Sequence, residues 1–239
     1  NRLLLQYKTT DSLEYLSDYA ASLIYFKEYY KAKTIYEDIE IKRPNLYTTA
    51  SNLGTIYELI DKPKLALEWI KKSIRLNPNS HDGSEWIHIK ILEFKINNSN
   101  DYSNSILDLD FSDEALPVNR NYYDLKELSN HIWHQLRERS NFVKPRNKIV
   151  GNIYFDLGNI LAQTKDVQAA LESYYAAKEY GFTSPLMEKR IIALEELAKK
   201  VNPYIQGKNL QKTVENNFWT VFISFILLVL LIITVYKKR

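Results

Sequence analysis

No cysteine occurs among the 239 residues, so a disulfide, a thiolate nucleophile and a cysteine-ligated metal site are all excluded. That composition tolerates an oxidising compartment without requiring one. Glycine (6) and proline (7) are scarce, too scarce for a loop-rich all-β protein or a disordered polymer. A surplus of positive charge is missing as well. The net charge is +3, but residues 201–239 carry Lys208, Lys212, Lys237, Lys238 and Arg239 against Glu215 alone, which leaves residues 1–200 at −1. Binding to a phosphate backbone draws on clustered Lys and Arg, so nucleic acid is not an expected partner. The GxSxG, Walker A and GxGxxG patterns are absent too. The expectation is a non-enzyme with no cofactor.

What the chain does have is a hydrophobic content of 45%, enough for a real core, and a period. Ala20 and Gly54, Ala32 and Ala66, and Pro44 and Pro78 are each 34 residues apart. With Leu13 and Tyr47 as the first positions of two units, small residues fall at positions 8 and 20 and proline at position 32. Large apolar side chains such as Leu53, Tyr57 and Ile70 surround them. Small residues let two antiparallel helices approach closely, and proline stops the second one. Lys27-Glu28 and Asp61-Lys62-Pro63-Lys64 interrupt each unit at its middle, and Asp61 is expected to cap the helix after it.

A third unit is expected to start near His81, with Ser84–Lys95 in its first helix. The period then breaks. Residues 97–119 contain Asp101, Asp108, Asp110, Asp113 and Glu114 with no base, and read as an acidic insertion loop. Leu125, Leu128, Ile132 and Leu136 restore helical spacing as the displaced second helix of unit three. A fourth unit starts at Gly151, with Leu157-Gly158 and Leu161 followed by Ala170, Tyr174 and Ala177. Gly181 then ends a helix, and Ser184-Pro185 opens a last one that runs to about residue 200. Its charges, Arg190 among them, predict a capping helix with one wet face. Arg2-Leu3-Leu4-Leu5 reads as the edge of a helix. The chain opens at Asn1 rather than Met, which is compatible with a removed leader.

This pattern resembles the tetratricopeptide repeat, a helix-turn-helix unit of about 34 residues. The resemblance covers residues 12–96 and 147–200, and the insertion departs from it. Leu53–Glu58, Leu67–Ile70 and Asn77–His81 are also similar to bacterial proteins of this repeat class. It implies an all-α superhelical stack of about nine helices that binds a protein or peptide. In this family the first helix of each unit turns positions 2, 5, 6, 9 and 12 to a concave groove. Carried over, these mark Ser17 and Ala21, then Ser51, Asn52, Thr55 and Glu58, then Glu85 and Trp86, then Asn152, Phe155 and Asn159. Asn52, Glu85 and Trp86 are expected on one wall, with Trp86 as the best anchor. The family's clamp for a chaperone carboxyl terminus is not implied. Of its residues only Asn52 matches, while Ser17, Ala21, Asp82 and Trp86 stand where Lys, Asn, Lys and Arg would be.

After a linker at 201–217, residues 218–236 run 19 positions without a charge, with Trp219 and Tyr236 at the ends and Lys237, Lys238 and Arg239 beyond. At about 1.5 Å per residue this spans about 28 Å, near the thickness of a hydrocarbon core. A single transmembrane helix is expected. The basic end favours a cytoplasmic C-terminus, which puts residues 1–216 on the far side of a bacterial inner membrane. The competing topology is a cytosol-facing tail anchor, as in the mitochondrial fission adaptors. A membrane-anchored scaffold of an envelope or membrane complex is the functional expectation.

Three remaining clusters are read as structural. His81, His88, His131 and His134 lack a complete ligand set, so no metal is expected. Asp108-x-Asp110-x-Ser112 lacks the Gly and the final Glu of a calcium loop. Arg137, Arg139, Lys144, Arg146 and Lys148 are expected to neutralise the acidic insertion.

Overall fold

The structure, a computed structural model, describes residues 2–97, 101–142, 146–164 and 166–201. The expected span at 218–236, Trp219, Tyr236, the basic end at 237–239 and Lys144 lie outside the described residues. Among the described residues there are ten α-helices and no strand, where about nine helices are expected, and none of these helices is long and apolar enough to cross a membrane.

The first five helices are α1 (Arg2–Thr10), α2 (Leu13–Tyr25), α3 (Tyr29–Lys42), α4 (Tyr47–Leu59) and α5 (Pro63–Leu76). They stack as adjacent pairs, as the 34-residue period requires. Ala20 and Ala32 are fully buried where α2 meets α3, as is Ala66 in the pairing of α4 with α5. A Cβ on Gly54 would stand 2.4 Å from Ile70 Cδ1, so the close approach needs glycine there. The period reaches the backbone angles themselves. Arg43 and Asn77, each one residue before a proline, share φ near −145° and ψ of 87° (φ −143° and −148°). Proline forces its predecessor out of the helical region, and both second helices stop there.

Lys27 and Asp61 both adopt a left-handed conformation, with φ 61° and 57°. The next amide in each case, Glu28 N or Lys62 N, donates back to Leu23 O or Tyr57 O at 2.9 and 2.8 Å. This closes the end of the first helix. Asp61 therefore terminates α4 and does not cap α5, whose N-cap is Lys62 without a side-chain bond. A residue held left-handed at a helix end cannot also take the extended N-cap geometry of the next helix.

His81, Asp82 and Gly83 have φ of 50°, 54° and 77° in a short 3-10 turn, and α6 (Glu85–Ile96) follows it, within one residue of the helix expected at Ser84–Lys95. Residues 101–124 carry no helix. They are followed by α7 (Leu125–Phe142), α8 (Lys148–Gln163), α9 (Val167–Glu179) and α10 (Pro185–Val201). The insertion is not an excursion into solvent, because Ile106, Leu107 and Phe111 are buried in one cluster with Ile87 and Ile91 of α6, Leu128, Ile132 and Leu136 of α7, and Ile153 and Leu157 of α8. In effect it replaces part of a repeat with a packed irregular segment. The α8–α9 hairpin repeats the tight contact of the first pairs, for a Cβ on Gly158 would stand 2.3 Å from Tyr174 Cε1.

Candidate functional site

Of the residues expected to line a groove, Glu58, Glu85, Asn152, Phe155 and Asn159 lie beneath other parts of the chain, whereas Ser17, Ala21, Ser51, Asn52, Thr55 and Trp86 are partly exposed. Ser51, Thr55 and Glu58 of α4 and Glu85 and His88 of α6 face Arg139 of α7 around a cavity of about 70 Å³. Glu58 is the centre of this contact, its side chain only 6% exposed. Arg139 Nη1 and Nη2 donate to its two oxygens at 2.9 and 3.3 Å, His88 Nε2 donates at 2.6 Å and Lys95 Nζ at 2.6 Å. Burial pushes this carboxyl up, but Arg139, His88 and Lys95 outweigh it and hold Glu58 well below the usual carboxylate range. Glu85 behaves alike. Burial raises it, while hydrogen bonds from His81 and His88 bring it down to about 2.

All four histidines meet at this junction. His81 stacks on His134 with ring centroids 5.0 Å apart, and Trp86 Nε1 donates to His131 Nδ1 at 3.0 Å. The hydrogen bond to Glu85 raises the pKa of His81, whereas desolvation and the neighbouring His81 lower that of His134. Among the described residues no group of three His, Cys, Asp or Glu side chains is arranged to hold a metal ion. Both buried carboxylates here are strongly ionised and paired, which makes the cluster a structural latch between α4, α6 and α7. A general acid or base is instead poised near the working pH. Trp86 packs against the core beside Ile87 and Ile132, and Asn52 Nδ2 bonds within its own helix to Thr48 O at 2.9 Å.

In unit four the insertion covers the expected face. Asn152 accepts from Ile106 N at 2.9 Å and donates to Asn104 O at 3.2 Å. Asn159 Oδ1 accepts from Arg190 Nη1 at 2.6 Å and from Tyr174 OH at 2.8 Å. Phe155 is buried between Tyr174 and Phe182, with the Arg190 guanidinium over its ring. Arg190, expected on a wet face, is 1% exposed. It also donates to Phe111 O at 3.0 Å, to Glu114 O at 3.2 Å and to Ser112 O, which ties the insertion to α10 through three carbonyls, of which Phe111 O also accepts from Val118 N at 2.9 Å. Beside it Asp156 accepts from Ser105 Oγ at 2.6 Å. Burial pushes the Asp156 carboxyl up to about 7, against the smaller opposing pull of Ser105 and Arg190.

Two members of the basic cluster pair with acids outside the insertion. Arg139 pairs with Glu58 and Arg146 with Glu179 at 2.6 Å, while Asp108 pairs with Lys90 and Glu114 with Arg120. Local capping explains other insertion acids, since Asp101 and Asp110 each accept from the amide two residues on, at Ser103 and Ser112.

An open cleft lies elsewhere, between α7 and α9. It measures about 1000 Å³, with Tyr154 of α8 in its lining. Trp133 and Asn130 line the α7 side, and Ala169, Ser173 and Ala176 the α9 side. Trp133 is 49% exposed. The sequence carried a signal for it, because Trp133 is the large apolar residue of α7 that falls off the Leu128, Ile132 and Leu136 stripe. Arg190 and Asp156 carried none. Comparison with protein-family models, curated proteins and solved structures finds no match for this chain.

Proposed function

We propose that this chain is a membrane-anchored helical-repeat scaffold of the tetratricopeptide kind, which holds a protein partner in an envelope or membrane complex. The carrying observation is the open α7–α9 cleft with its half-exposed tryptophan, in a molecule where Glu58 and Asn152 of the expected groove are already engaged by α7 and by residues 104–106. Stacked helix pairs supply a rigid frame for such a cleft, and the two buried networks are ionised or hydrogen-bonded in ways that suit holding the frame together. No catalytic role is assigned. The uncharged run at 218–236 and the basic residues after it support a single span with its C-terminus in the cytoplasm.

Two measurements test this. Photo-crosslinking from position 133 in native membranes is expected to yield a discrete protein adduct, and a chain that crosslinks to nothing from 133 or from any other exposed position would sink the scaffold reading. Protease added to sealed cells or spheroplasts is expected to remove the repeat region from outside. Digestion only from the cytoplasmic side would reverse the topology to a tail-anchored adaptor.

A further inference from the structure

We propose that the α7–α9 cleft seats a basic amphipathic helix of a partner protein, with its apolar face on Trp133 and its cations against Asp82, Asp124, Glu127 and Glu172. This rests on the scaffold reading and adds the partner's chemistry.

Shape comes first. At about 1000 Å³ the cleft is at the upper end of the size of ligand pockets, and its long walls are two helices. A helical wall has its own backbone groups bonded internally and offers no free edge to a strand, so recognition falls to side chains, as when a helix lies in a groove. The α9 wall admits that geometry. Ala169, Ser173 and Ala176 fall at i, i+4 and i+7 on one helical face, and their short side chains let another helix approach closely. Opposite them, Leu128, Ile132 and Leu136 turn the apolar stripe of α7 into the core, which leaves Trp133 on a different face as an aromatic contact for an incoming apolar side chain.

Charge selects among helices. The cleft residues include four carboxylates, Asp82, Asp124, Glu127 and Glu172, against two cations, Lys126 and Arg137. The side chains of Asp82 and Glu127 are 88% and 67% exposed and touch His134 and His131 only at 3.9 Å, so most of each carboxylate faces an approaching cation. Such complementarity fixes partner choice and speeds encounter more than it adds raw affinity. An anion is opposed by the same four groups.

The absence of native cysteine makes the test clean. Single cysteines are placed in the full chain in nanodiscs, Ala176→Cys in the cleft and Ile192→Cys on exposed α10 as the control. Each is equilibrated in a glutathione buffer with synthetic peptides of about 18 residues, long enough to hold helix, each with one cysteine. One peptide is a Leu/Lys amphipathic helix, one its Leu/Glu twin, and one has the Leu/Lys composition scrambled to lose the apolar face. Trapping of the Leu/Lys helix at Ala176→Cys is expected to exceed that at Ile192→Cys, and that of either other peptide, by about tenfold. Adding Trp133→Ala, or Glu127→Lys with Glu172→Lys, is expected to abolish the preference with the thermal midpoint unchanged, while Trp133→Phe retains most of it.

Equal trapping at both cysteines, equal trapping of the scrambled peptide, or indifference to the charge reversal overturns the proposal. Disulfide dimers of Ala176→Cys in place of peptide adducts overturn it in favour of a second copy of this chain. If trapping fails while native-membrane crosslinks place a partner protein on another surface, the scaffold reading stands and this inference alone falls.

Discussion

Two sister helices, α4 and α8, carry the same Leu-Gly step at 53–54 and 157–158, and each buries one carboxylate, yet those carboxylates sit in opposite chemical states. Glu58 meets a guanidinium, an ammonium and an imidazole and stays ionised, whereas Asp156 meets a serine hydroxyl and is pushed up to about 7. The repeat motif governs the side of each helix that packs on its hairpin partner. The chemistry of the other side is decided by what lies on it. For α4 that is α6 and α7, helices bringing His88, Lys95 and Arg139, and for α8 it is an irregular segment bringing backbone and hydroxyl groups.

The largest effect that sharpens this contrast is expected from Arg190→Met, which removes the donor to Asn159 and to three insertion carbonyls at once. Phe111 O keeps Val118 N and Asn159 keeps Tyr174 OH, so the cost is that of four lost charge-assisted bonds, about 4 kcal/mol together. Amide exchange checks it, with residues 105–118 losing protection before α2–α5 do. Next, Glu58→Ala strands a buried Arg139 and should cost about 3 kcal/mol in chemical denaturation. The double change Glu58→Leu with Arg139→Leu should cost less than Glu58→Ala alone. A larger loss in the double would mean that packing, not charge pairing, dominates the latch.

Titration separates the two sites by sign. Asp156 has an ordinary value of 3.8 and a folded value of about 7, so between them the folded state holds the extra proton. Its contribution to stability falls as pH rises from about 4 to about 7 and is flat above, on the order of 4 kcal/mol in all. Glu85, folded at about 2 against 4.5, contributes fully above 4.5 and loses that contribution as pH falls toward 2. Denaturation at pH 5 and pH 8 should therefore show a drop in the native chain that Asp156→Asn largely removes, and an undiminished drop in that variant would assign it to other groups. The smallest effect compares the glycines. Gly158→Ala drives a methyl into the ring of Tyr174, which is fully buried and bonded to Asn159, whereas Gly54→Ala meets the mobile end of Ile70. Both should destabilise by about 1–3 kcal/mol, with Gly158→Ala the larger, and equal thermal shifts would show that the Tyr174 ring yields as readily as Ile70.

The helix pairs were legible in the sequence because their causes are local and periodic: small residues at Ala20, Gly54, Ala32 and Ala66, and a proline two residues past each second helix. The left-handed turn before α6 was not, since of its three consecutive left-handed residues only Gly83 announces such a backbone. The covering of Glu58, Asn152 and Asn159 was also hidden. The groups that reach them are 15 to 81 residues away in sequence and leave no periodic trace near their targets. Arg190 shows the limit best, because a single cation among the charges of an amphipathic helix looks like any solvated one until its distant carbonyls are known. Trp133 is the converse, visible as soon as the stripe of α7 is drawn.

Arg190 also imposes an order in time. Its bonds to the insertion span 76 to 79 residues, and in a chain made from its amino end the donor is synthesised long after the carbonyls it will serve. The α2–α3 and α4–α5 pairs have each other once residue 76 has left the ribosome, and Glu58 then waits for α6 and α7. Phe111 O meets Val118 N early, but Ser112 O and Glu114 O have no protein donor until α10 emerges. The hairpins of the front can thus form while the middle is still open, and the last described helix is the one that closes it.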